Sequence, residues 1–160
     1  MRKQYFFDIR KVSKIMKENP IKKNLNWNMP CYMYKDWKIK NWETPLAHSN
    51  FSLKSLFDNL KKLEITVENS NSEYVISFEY QYPVYRNILG TYRLELWSYL
   101  KDNYPNHTST FIVENSSWIN YFVESEILLD VHENIKHFVI ASERDVVEVL
   151  SPVSPNISKL

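Results

Sequence analysis

Four histidines, one cysteine and a run of carboxylates are the residues of this chain that are equipped for chemistry. His132 and His137 lie five apart in Val131-His132-Glu133-Asn134-Ile135-Lys136-His137. A zinc-binding helix stacks two histidines at i and i+4, and a spacing of five leaves that face. The segment reads as a loop entering a strand, while His48 and His107 stand alone. The expectation is therefore solvated or hydrogen-bonded histidines, no metal site, and activity that survives replacement of His132 or His137. Cys31 sits in Pro30-Cys31-Tyr32-Met33-Tyr34. Such apolar, aromatic surroundings raise a thiol's pKa, so a packed, unreactive thiol is expected instead of a nucleophile. A single cysteine also excludes an internal disulfide and a multi-cysteine zinc site.

The carboxylates gather in Glu124, Glu126, Asp130 and Glu133. Glu126 and Asp130 are four apart and share a face of any helix that reaches them. Three readings stand: a solvated face, a surface that meets a basic partner, and an acid–base or magnesium-holding pair. Trp118 and Tyr121 lie in the same segment and supply an aromatic anchor for the second of these. At the other end, Arg2, Lys3, Arg10, Lys11, Lys14, Lys17, Lys22 and Lys23 are interleaved with Tyr5, Phe6, Phe7 and Trp27. Basic and aromatic residues together are the ingredients of single-stranded nucleic-acid binding, and equally of an ordinary helix with a charged face. Glycine occurs once, at Gly90. Phosphate-cradling loops, dinucleotide fingerprints and nucleophile elbows all need more, so those classes are excluded.

Positioning these groups falls to a chain of 160 residues, 44% hydrophobic and 24% charged, which suits a single globular domain. The net charge of +1 conceals a split. Residues 1–62 carry 14 Lys and Arg against 5 Asp and Glu, and residues 63–160 carry 6 against 14. The halves therefore hold +9 and −8, read either as mutual complements or as faces for different partners. Asp8 with Ile9, Val12, Ile15 and Met16 predicts a first helix, and Asn50 with Leu53, Leu56, Phe57 and Leu60 a second. Cys31 to Ile39 reads as a strand or extended segment. Leu63–Glu68 and the period-two run Tyr74, Ile76, Phe78, Tyr80, Tyr82 predict a hairpin. Thr91–Trp97 fits a strand or a helix, and Thr110–Val113 fits a short strand. Ser116 or Ser117 caps a helix through Trp118, Phe122 and Ile127. His137–Ile140 and Val146–Leu150 close the chain as a second hairpin, and Pro152 and Pro155 open an extended tail from about residue 151. The expected fold is α+β, a mainly antiparallel sheet packed with about three helices.

The end of the chain runs Trp118-Ile119-Asn120-Tyr121-Phe122, Glu124-Ser125-Glu126, Lys136-His137-Phe138-Val139-Ile140 and Arg144-Asp145-Val146-Val147-Glu148-Val149-Leu150-Ser151. This order of helix, loop, strand, turn and strand resembles the C-terminal ends of immunity proteins from contact-dependent growth inhibition systems, over about a quarter of the chain. The resemblance implies a non-enzymatic protein that binds and neutralises a cognate bacterial toxin domain, for instance a nuclease, with no cofactor. Glu124, Glu126, Asp130, Glu133, Trp118 and Tyr121 are the partner-binding residues expected from the charge and aromatic pattern. A nucleic-acid-binding module built on the basic N-terminal half is the alternative. No segment is long and apolar enough for a signal peptide or a bilayer span, so a cytoplasmic protein without membrane contact is expected.

Overall fold

The computed structural model describes residues 37–79, 84–124, 134–142 and 144–160, with only the backbone of 122–124. Among the described residues, nine strands form two antiparallel sheets. The five-stranded sheet has the order β1-β6-β7-β8-β5, from β1 (Ile39–Asn41), β6 (Thr110–Val113), β7 (Lys136–Ala141), β8 (Asp145–Ser151) and β5 (Val84–Leu89). The four-stranded sheet has the order β2-β3-β4-β9, from β2 (Ser52–Asp58), β3 (Leu63–Asn69), β4 (Ser72–Phe78) and β9 (Asn156–Lys159). Two α-helices occur among the described residues, α1 (Leu94–Asn103) and α2 (Ser117–Glu124). A 3-10 turn, Gly90–Arg93, leads from β5 into α1.

Side-chain pattern explains which sheet lies where. In β3 the apolar residues alternate, with Leu63, Ile65 and Val67 buried and Glu64, Thr66 and Glu68 on the other face. One covered face and one solvated face is the normal state of an antiparallel sheet. In contrast, β7 is buried from His137 to Ala141 and β8 from Val146 to Ser151, with no alternation. The five-stranded sheet is covered on both sides. On one side Phe138, Ile140, Val147 and Val149 meet Ile65, Val67, Ile76 and Phe78 of the four-stranded sheet. On the other, Phe111, Val113, Val139 and Val146 pack with Trp37 and with Leu96 and Leu100 of α1.

The α+β class and the antiparallel pairing agree with the sequence reading, but the strands divide between two sheets. Two α-helices lie among the described residues where about three were expected in the whole chain. The segment from Asn50 to Leu60, expected as a helix, is the strand β2. A β-bulge causes the confusion. The register slips between Leu53 and Ser55, so Leu53 lies opposite Val67 and Leu56 opposite Ile65, both against the core. An extra residue in a strand shifts its side-chain phase, and two core-facing leucines three apart then imitate a helical face. Phe57 and Leu60, the other two residues of that expected face, are exposed. The ambiguous stretch from Thr91 resolves into the 3-10 turn and α1. Residues after Pro155 add β9 to the edge of β4, Ile157 opposite Ile76. The helix expected from Asp8 and the setting of Cys31 lie outside the described residues, as does Ile127.

With little glycine available, polar side chains fold the turns. Between β2 and β3, Asp58 Oδ1 accepts the Leu60 N–H at 2.7 Å, and Asn59 Oδ1 accepts those of Lys61 and Lys62 at 3.0 Å. Leu60 is held at φ 67° in this turn and its side chain is exposed. A Cβ at left-handed φ costs roughly 1–2 kcal/mol, while glycine costs the unfolded chain part of that in entropy. Leu60→Gly is therefore expected to stabilise the protein by about 0.5–1 kcal/mol in urea unfolding, and a loss of stability would show that the leucine side chain is needed there.

Candidate functional site

Glu148 is the one charged residue inside the apolar run of β8, and its side chain is fully buried. Its strand is covered on both faces, so neither orientation of the side chain reaches solvent. An ionised carboxylate in that position must be paired and hydrogen-bonded. Three side chains from three other elements converge on it. Arg93, at the end of the 3-10 turn, donates from Nη2 to Oε1 at 2.5 Å. Arg86, its cross-strand neighbour on β5, donates to Oε2. His137 of β7 contacts Oε2 through Nε2 at 3.1 Å.

The cluster continues outward from the histidine. His137 Nδ1 lies 2.9 Å from Ser116 Oγ, and the same oxygen accepts the Ile119 N–H at 3.2 Å, capping α2. Trp37 and Trp118 meet the imidazole edge-on, at 5.2 and 5.4 Å between ring centroids. The Arg86 guanidinium lies over the Trp118 ring, 4.2 Å from its centre. At that distance a cation and an indole face attract.

Protonation states follow from these contacts. Burial by itself raises the Glu148 carboxyl, but the hydrogen bond from His137 and the charge of Arg86 outweigh it and hold the group at about 2. Burial pushes His137 below the ordinary imidazole value, opposed by Glu148 and assisted by the two arginines. Burial also lowers Arg93, against the pull of Glu148. An ionised carboxylate only accepts, so His137 is neutral with its proton on Nε2, and its Nδ1 accepts the Ser116 hydroxyl.

Serine, histidine and glutamate thus stand in a hydrogen-bonded row, the order of a hydrolase triad. Access and occupation argue for a different role. Ser116 is 2% exposed, and its Oγ already serves α2 as a cap. A nucleophile needs a free oxygen beside a space for substrate. This arrangement joins β5, the 3-10 turn, β7 and β8 by charge-assisted bonds to Glu148, and adds α2 through the neutral His137–Ser116 hydrogen bond. Among the described residues no group of three or more His, Cys, Asp and Glu forms a metal site.

Of the expected partner-binding residues, the structure places Trp118 at the rim of this cluster and Tyr121 one turn further along α2, 56% exposed. Glu124 ends α2, with its side chain not described, and Glu126, Asp130, Glu133 and His132 lie outside the described residues. The basic and aromatic N-terminal set lies outside them too. His137, expected as a solvated or hydrogen-bonded histidine, is hydrogen-bonded at both nitrogens and fully buried. His48 is exposed, 4.0 Å from Glu43. His107 bonds the Tyr104 carbonyl through Nδ1 at 2.7 Å and lines a shallow cleft with Trp97, Ser109 and Ser142. Sequence reading missed Glu148, Arg86 and Arg93, although a signal was present. A carboxylate flanked by valines on both sides in Val146-Val147-Glu148-Val149-Leu150 cannot be solvated in a two-sided buried strand.

Two outcomes follow. Glu148→Gln leaves buried guanidinium charge without its counter-ion, and breaking such a pair costs about 3–5 kcal/mol. Arg86 keeps some solvent access, so a loss toward the lower end is expected in urea unfolding. A loss below about 1 kcal/mol would place the carboxylate outside the stabilising set. For His137 the folded pKa lies below the unfolded one, so below about 6.5 the unfolded chain binds the proton more readily. Stability contributed at neutral pH is then lost as pH falls from 6.5 toward the folded value, while Glu148 stays ionised down to about 2. His137→Gln is expected to flatten the pH dependence of the urea midpoint in that window, and an unchanged slope would assign it to other groups.

No protein-family model, curated protein or solved structure matches this chain.

Proposed function

We propose that this chain binds and neutralises a bacterial toxin domain, as an immunity protein. One observation carries the reading: Arg86 and Arg93, two of the six cations in residues 63–160, are turned inward onto Glu148. With those two cations and that one anion withdrawn from a segment of charge −8, the remaining groups carry −9. Glu79, Glu95, Asp102 and Glu114 are exposed. A negative field of this kind attracts a basic protein and raises its association rate. Tyr121 on α2 supplies an exposed aromatic ring of the type that anchors interfaces. An inhibitor of this sort needs a rigid frame and a complementary surface, and the inward-facing polar cluster provides the frame.

The test is growth. A toxin-domain gene is expected immediately upstream of the gene for this chain, and co-expression with that domain should restore growth of otherwise arrested cells. No rescue by a chain shown to be folded, or recovery of the protein bound to nucleic acid and freed by nuclease, would overturn the reading in favour of a nucleic-acid module. In binding kinetics, Glu124→Lys with Glu126→Lys should slow association by about tenfold at low salt, and the difference should shrink as salt rises. Tyr121→Ala should act mainly on dissociation. Rates unchanged in all variants would move the interface away from this segment.

A further inference from the structure

An open strand edge is a template for another strand, and proteins usually blunt such edges with bulges, prolines, lysines or short length. Among the described residues the two sheets have four edges, and three of them are blunted. β1 has three residues, Lys40 among them. β2 carries the bulge at Lys54. β9 has four residues and includes Lys159. The fourth edge, β5, runs six residues as Val84-Tyr85-Arg86-Asn87-Ile88-Leu89 with unbroken register against β8. It holds no lysine and no proline, and its one charge is committed to Glu148. Among the described residues it pairs with β8 alone. Large apolar side chains stand exposed at its end and just beyond: Leu89 at 54%, Tyr92 at 80% and Leu94 at 68%. They sit on a firm support, because the Gly90 N–H donates to the Arg144 carbonyl at 2.6 Å and Trp97 Nε1 donates to the Gly90 carbonyl at 3.2 Å.

We propose that β5 pairs antiparallel with β5 of a second copy of this chain, about a two-fold axis at Asn87. Face and charge choose the register. Residues opposite each other across two strands share a face of the sheet. Arg86 and Ile88 lie on the helix side with Glu148 and Val146, and Tyr85, Asn87 and Leu89 lie on the other. Centring on Arg86 sets two guanidiniums opposite each other, which is unfavourable. Centring on Asn87 sets neutral amides opposite each other, and each exposed Leu89 then covers Tyr85 of the other copy. A net charge of +1 puts little long-range repulsion between copies. A six-residue strand pair by itself falls short of the roughly 1,200 Å² of a stable standard interface, so the dimer is weak and reversible, with Tyr92 and Leu94 adding apolar area at its ends.

Sedimentation equilibrium of the full chain, from low micromolar to near-millimolar concentration, reads this directly. The expected result is an apparent mass rising toward twice that of the monomer. Asn87 is exposed, so Asn87→Lys and Asn87→Asp should each fold with an unchanged thermal midpoint and remain monomeric, like charges now facing each other at the axis. Mixed one to one, these two variants should regain the doubled mass. A wild-type chain that stays monomeric throughout, or variants that dimerise as well as wild type, would overturn the proposal.

Discussion

A carboxylate without water is the constraint around which this fold is arranged. Glu148 sits in a strand whose two faces are both covered, so solvation is denied to it whichever way it points. Its charge survives because two guanidiniums and an imidazole N–H supply what water would have supplied. Each partner comes from a different element, and each element is thereby placed. Arg86 sets β5 against β8, Arg93 sets the turn that starts α1, and His137 passes the arrangement on to Ser116 and the cap of α2. Directional bonds of this kind specify one packing among the many that a greasy sheet permits.

Covering the five-stranded sheet on both sides has an electrical consequence as well. Cations that would otherwise offset the acidic half at the surface are consumed in the interior. The effect is one unit of charge: residues 63–160 carry −8 in all and −9 without the buried trio. Aromatic residues seal this interior charge. Trp37 and Trp118 flank the imidazole and Trp118 covers Arg86, excluding water and strengthening the bonds beneath.

Where local pattern and burial agree, the sequence was readable. The β3–β4 hairpin shows period-two alternation because one face is wet, and β7 and β8 show apolar residues at consecutive positions, interrupted within β8 by Glu148 alone, because neither face is. A serine cap at Ser116 or Ser117 was readable for the same reason, a hydroxyl just ahead of an apolar helical run, and Ser116 is the one that fills it. Where a strand departs from its own period, local reading failed. The bulge at Lys54 placed Leu53 and Leu56 on one side, and that spacing belongs to helices as well.

The hairpins β3–β4 and β7–β8, the strand β6, the helix α2, the antiparallel pairing and the polar turns were thus determined by the sequence itself, since they arise from side-chain period and turn chemistry between near neighbours. In contrast, β2 was read as a helix, and β5 and β9 were not read as strands. The site was decided only by tertiary structure. Glu148, Arg86 and Arg93 are separated by 62 and 55 residues, and no spacing rule connects them. A lone glutamate among valines shows that a counter-charge is required, yet it does not say which of the chain's 20 cations will provide it. Strand order answers that question, because β8 lies between β7 and β5 and so brings one histidine and one arginine to the same carboxylate.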